Sequence, residues 1–143
     1  MDKPSGIAYL IGRLDHMLNR RIRDSIAPMG ITAAQYTALS VFRKHGQLSN
    51  AQLAERSMVS PQSANEMVKT MEQRGWIARQ SPSTHGRIIQ IGLTEQGLDL
   101  LKKCDAAVIE VEAAMLAEID EDLQAPLYAQ LKTMVRGLSV LTL

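Results

Sequence analysis

SPQSANEMVKTMEQRGW, residues 60–76, reads as a short helix with two unlike faces. Ser60 is a good N-cap, and Pro61 falls at the first helical position, where its missing N–H leaves nothing unpaired. Ala64, Met67, Val68 and Met71 recur at three- and four-residue spacing and make an apolar stripe. Gly75 is placed to close the helix. The other face carries Gln62, Asn65, Glu66, Lys69 and Gln73, with Ser63 beside them. An ordinary solvated face would show pairs of Lys and Glu, whereas this one is almost uncharged over its first two turns. Side chains that both donate and accept suit a partner with donors and acceptors of its own, and the edge of a DNA base pair is the leading candidate.

The preceding residues place this helix in a motif. Ser49-Asn50-Ala51-Gln52 has the form of a capping box, in which the first and last side chains satisfy each other's free amides. It opens a short helix carrying Leu53, Ala54 and Met58, and only Val59 and Ser60 stand near the turn. Two short capped helices at that separation predict a helix-turn-helix whose second member enters the major groove. Further back, Thr32-Ala33-Ala34-Gln35 is another capping box, and its helix ends near His45-Gly46. Ile7, Ile11, Leu14, Leu18, Ile22 and Ile26 mark an earlier helix running to about Ala27, stopped by Pro28 and Gly30.

After Gly75 the apolar period changes from 3.6 to 2. Residues 76–80 read as a strand, 81–86 as a turn-rich loop and 87–91 as a returning strand, which together predict a wing. Thr94 then caps a long helix with Leu98, Leu101, Cys104, Val108, Val111, Met115 and Ile119 along one side. Asp120 to Asp122 interrupt that stripe, and a last helix carries Leu123, Leu127, Leu131, Met134, Leu138 and Leu141. The expected fold is mainly α with a small β-wing: a winged helix-turn-helix core over about 31–94, within a single domain spanning 1–143. Helices at about 5–28 and 95–143 flank it. So apolar a final helix needs a large covering surface, and a second copy of the chain supplies one, so a twofold dimer is expected.

Composition agrees with this reading. The chain has 143 residues, about one domain's length, and its few aromatics leave Leu, Ile, Val, Met and Ala to build a helical core. A single cysteine, Cys104, excludes an intrachain disulfide and a zinc framework. No apolar run is long enough to span a membrane and no signal-peptide core is present, so a cytoplasmic protein is expected. The net charge of +1 hides an asymmetry: residues 1–42 balance at +2, residues 43–94 at +4 and residues 95–143 at −5. A basic middle segment suggests a polyanion partner. The three histidines, His16, His45 and His85, lie apart and beside no nucleophile motif, so neither an enzyme nor a cofactor or metal is expected.

The order of parts from Gly30 to Gly97 resembles the MarR family of winged-helix transcriptional regulators. GITAAQYTALSVF (30–42), LSNAQLAERSMVSPQSANEMVKTMEQRGWIAR (48–79) and IGLTEQG (91–97) carry the resemblance, and the flanking helices resemble the family's dimerisation arms. It implies a homodimer that binds palindromic double-stranded operator DNA, usually as a repressor, and is released by small anionic or aromatic ligands. One departure stands out. The family's wing usually carries an Asp, one residue and an Arg, and this sequence has His85, Gly86 and Arg87 there.

The DNA-contact candidates are therefore Ser49 and Asn50 at the start of the first helix of the pair, Ser60, Gln62, Ser63, Asn65, Glu66 and Lys69 on the second, and Arg79, His85 and Arg87 in the wing. Arg79 could instead brace its strand through an ion pair, and Arg43 and Lys44 could add electrostatic attraction. By resemblance, a ligand pocket would draw on Arg13, His16, Arg20 and Tyr36. Cys104 falls in an apolar stripe, where an inert buried thiol is expected. The competing functions are a winged-helix module for protein–protein contact without DNA binding, and a thiol-based redox sensor.

Overall fold

The structure, a computed structural model, describes residues 6–80 and 89–140. Helix α1 spans Ile7–Ile26 and runs into a single 3-10 turn, Ala27–Met29, which Gly30 ends at φ +78°. Of its apolar stripe only Ile26 is buried; Leu18 and Ile22 are half-buried, and Ile7, Ile11 and Leu14 are exposed. Helix α2 spans Ala33–His45 and α3 spans Asn50–Ser57. Both open with the capping boxes that the sequence predicts. Thr32 Oγ1 accepts from the Gln35 amide at 3.1 Å while Gln35 Oε1 accepts from the Thr32 amide at 3.0 Å, and Ser49 and Gln52 repeat the exchange at 3.2 and 2.9 Å.

Helix α3 stops at Met58, a non-glycine residue at φ +57°, whose amide reaches back to Ala54 and Glu55. The apolar pattern groups Met58 with Leu53 and Ala54, but the left-handed turn lifts it out of the helix, and its side chain is 91% exposed. Helix α4, Pro61–Gln73, follows at once, and Gly75 at φ +80° turns the chain out of it. Its inner face buries Ala64, Val68 and Met71, the last two in one core cluster with Leu39, Phe42, Leu53, Trp76 and Ile77. Each fully buried large side chain there contributes about 1.5–3 kcal/mol of burial energy.

The strands at the wing's root differ from their expected bounds. Strand β1 is Ile77–Arg79 and β2 is Ile91–Leu93, antiparallel, with Ile77 opposite Leu93, Ala78 opposite Gly92 and Arg79 opposite Ile91. The returning strand thus starts at Ile91, where the alternating pattern expects it to end. Two constraints place it there. The buried Ile91 side chain fills the core, and a one-residue slip would turn it outward. Leu48, in the α2–α3 connection, also exchanges both backbone hydrogen bonds with Ile91, at 2.9 and 2.8 Å.

Helix α5, Glu95–Met115, is seated by Thr94, whose hydroxyl accepts from the Gly97 amide at 3.0 Å and donates to the Gly75 carbonyl at 2.5 Å. Gly97 lies so close to β1 that a Cβ there would sit 2.0 Å from the Trp76 carbonyl oxygen. Leu101 and Cys104 complete the core. The helix ends at Met115, short of the predicted Ile119, and α6 runs Glu121–Val140. The described chain forms two compact units that divide at Val108–Ile109, within α5. In the second unit the stripe Leu123, Leu127, Leu131, Met134 and Leu138 is exposed. Among the described residues no helix is long and apolar enough to cross a membrane.

Candidate nucleic-acid interface

The sequence dictates which way α4 faces. With Ala64, Val68 and Met71 drawn into the core, Gln62, Asn65, Glu66 and Lys69 fall at i, i+3, i+4 and i+7 on the opposite side, and all four are exposed, as is Ser63. Ser60 is committed to capping: its Oγ accepts from the Ser63 amide at 3.1 Å and donates to Ser63 Oγ at 3.0 Å. Beside it, Asn50 Nδ2 donates to the Pro61 carbonyl at 3.5 Å and holds the start of α3 next to the start of α4. Asn50 Oδ1 is buried and has no partner among the described residues. Ser49, Asn50, Ser60 and Ser63 thus gather at two adjoining helix N-termini, where backbone N–H groups and helix dipoles favour a negative charge.

Arg79 pairs with Glu72, Nε to Oε2 at 3.2 Å, so the strand-bracing role is present. His85 and Arg87 lie outside the described residues. A contact that the sequence did not signal fixes the far end of α4. Arg74 Nη1 donates to the Gly30 carbonyl at 2.6 Å, and its guanidinium lies 5.2 Å from the centre of the Trp76 ring. No local pattern announces a bond spanning 44 residues.

The four ligand candidates are not brought together. Arg20 and His16 line an open depression of about 630 Å³ on α1, and Arg13 and His16 line another of about 510 Å³. Tyr36 is elsewhere, its hydroxyl donating to Asp105 Oδ1 at 2.8 Å. The same carboxylate takes the guanidinium of Arg43. Arg43 is therefore paired rather than free. Burial, followed by the Asp105 hydrogen bond, pushes the Tyr36 phenol up to about 12. The Arg43 hydrogen bond, reinforced by Tyr36, holds Asp105 below the usual carboxylate range. Cys104 is fully buried and its thiol is pushed up by that burial, an environment that disfavours the reactive thiolate. Among the described residues no three His, Cys, Asp or Glu side chains are placed to hold a metal.

Known proteins are similar to this chain in sequence and fold. The sequence model of the MarR family matches residues 31–89. The HTH-type transcriptional repressor Rv2887 of Mycobacterium tuberculosis is 31% identical over 137 residues, covering 96% of this chain and 94% of that protein. Its crystal structure in complex with DNA superimposes with a TM-score of 0.79 at 25% identity, over 91% of this chain and 98% of that one. Its complex with salicylic acid gives 0.78 at 26% identity, over 94% and 99%.

Proposed function

This chain belongs to the MarR family, and from that premise we propose that it is a sequence-specific DNA-binding transcriptional repressor that works as a homodimer. The observation that carries this is the exposed face of α4, polar but almost uncharged, mounted on a buried apolar stripe. Gln62 and Asn65 have the amide geometry for bidentate pairing with adenine, and Glu66 can accept from the cytosine amino group. Lys69 and Ser63 reach for phosphate. The N-termini bearing Ser49, Asn50 and Ser60 fix register against the backbone. Arg87 and His85 would enter the minor groove or meet its phosphates, with Arg79 bracing the wing. The exposed apolar stripes of α1 and α6 favour a second copy as their cover, and a twofold dimer suits a pseudo-palindromic operator.

Release by a small aromatic carboxylate is the regulatory part of this reading. Rv2887 binds salicylic acid, and Arg13 and Arg20, each sharing a depression with His16, offer cations to a carboxylate on this chain. Tyr36 could join only by exchanging its bond to Asp105. A ligand that favours a dimer with wrongly spaced reading helices would shift the population away from the DNA-bound form.

Fluorescence anisotropy on DNA from upstream of the chain's own gene, against scrambled DNA, tests the reading. Asn65→Ala and Gln62→Ala should each lower operator affinity by about 1–3 kcal/mol and spare binding to scrambled DNA. Equal losses on both DNAs would remove the base-reading assignment. Absence of binding to either DNA at low salt would move the case to a protein-contact module.

A further inference from the structure

The basic middle segment leaves a residue of unneutralised charge in a place that the α4 face does not explain. Of its described cations, Arg43 is held by Asp105, Arg79 by Glu72, and Arg74 by the Gly30 carbonyl and the Trp76 ring. Among the described residues, Lys44, Arg56 and Lys69 have no acidic partner. Lys69 belongs to the reading face. Lys44 stands in the last turn of α2 and Arg56 in the last turn of α3, neither on α4. Arg56 Nη1 lies 3.4 Å from His45 Nε2. A guanidinium donates but never accepts, so read as a hydrogen bond this contact takes a neutral imidazole with Nε2 as the acceptor. Partial desolvation, followed by the charges of Arg56 and Lys44, holds the exposed His45 imidazole below its ordinary value.

Two cations and an imidazole thus share one exposed corner, with no carboxylate paired to them among the described residues. We propose that Lys44, His45 and Arg56 form a phosphate site, distinct from the α4 face, that grips the DNA backbone and takes up a proton as it does so. This rests on the DNA-binding reading above. A bound phosphate would lie against both cations and stabilise a protonated His45, turning the imidazole from acceptor to donor. Binding therefore raises the His45 pKa, and linkage requires affinity to rise as pH falls through the window between its bound and free values. The charges that face His45 are Lys44 from its own helix and Arg56 from α3; Arg43, one residue further back, is occupied by Asp105. The contact touches no base edge, so its contribution is independent of sequence.

The test uses the full chain and a fluorescein-labelled random duplex of 30 base pairs, with affinity measured from about 50 to 200 mM salt at pH 8 and pH 6. Wild type should bind at least threefold more tightly at pH 6, with a salt slope steeper by about 0.9, the value of one more phosphate contact. His45→Gln should lose most of that gain. Arg56→Gln and Lys44→Gln should each flatten the slope at both pH values, and a circular dichroism melt shows which of the two exposed substitutions keeps the fold. A His85→Gln variant isolates the wing histidine. A pH gain in His45→Gln equal to that of wild type, or unchanged slopes in both cation variants, would overturn the site and leave operator reading by α4 intact. No binding of wild type to any duplex would overturn both.

Discussion

Gly97→Ala should damage this fold more than a methyl group ordinarily can. The added Cβ would stand 2.0 Å from the Trp76 carbonyl oxygen, 2.9 Å from its carbonyl carbon and 3.1 Å from its Cα. All three are backbone atoms, so no side chain can swing away. Restoring a tolerable contact needs a separation of about 1 Å between the start of α5 and β1, against a close-packed core. That movement strains the Thr94 amide bond to Trp76 O at 3.1 Å and both bonds of the Thr94 hydroxyl. Overpacking costs about 1–3 kcal/mol and a weakened cap about 1, while alanine's helix propensity returns about 1. The net expectation is a loss of about 2 kcal/mol. Urea unfolding of both proteins at one protomer concentration would read it as a midpoint lowered by about 1 M. Gly12→Ala is the control, since a Cβ there meets nothing within 4 Å, and it should raise stability by up to about 1 kcal/mol. A Gly97→Ala loss below about 1 kcal/mol would refute the claim that this contact seats α5.

Three further outcomes are expected. Met58→Gly should stabilise the chain by about 1 kcal/mol, because glycine adopts the φ of +57° without strain; a lower denaturation midpoint would contradict it. Asp105→Asn should cost about 1 kcal/mol at pH 7 and less as the solution is acidified. The Asp105 pKa is lowered in the fold, so its stabilisation is complete above the ordinary carboxylate range and disappears as pH falls through the lowered value. Urea midpoints of the two proteins should therefore converge below about pH 4. The Cys104 thiol should react with a disulfide reagent at the rate of unfolding, while immediate modification of the native protein would restore the redox-sensor reading.

What could be read in the sequence was what short-range chemistry decides. The capping boxes at Thr32 and Ser49, the proline at the first position of α4 and the glycine after its end each involve residues within one helical turn, and each is found where its pattern places it. The outward face of α4 follows from its stripe by helix geometry alone. What escaped depends on pairs far apart in the chain. Asp105 gathers Tyr36 and Arg43 from 69 and 62 residues away. The register of β2 answers to Leu48 rather than to its own alternation. Met58 escaped for a different reason: its residue type says core, and its backbone conformation, invisible in composition, puts it in solvent.

The backbone exchange between Leu48 and Ile91 also bears on the order in which the chain can fold. It closes a loop that contains all of α3, α4 and β1, so its entropy of closure is recovered only after those elements have compacted. The α3–α4 pair needs no such closure, because its caps and its turn are local. Nucleation therefore belongs to the paired helices, and the root of the wing condenses onto them late, with Ile91 as the residue that locks the step.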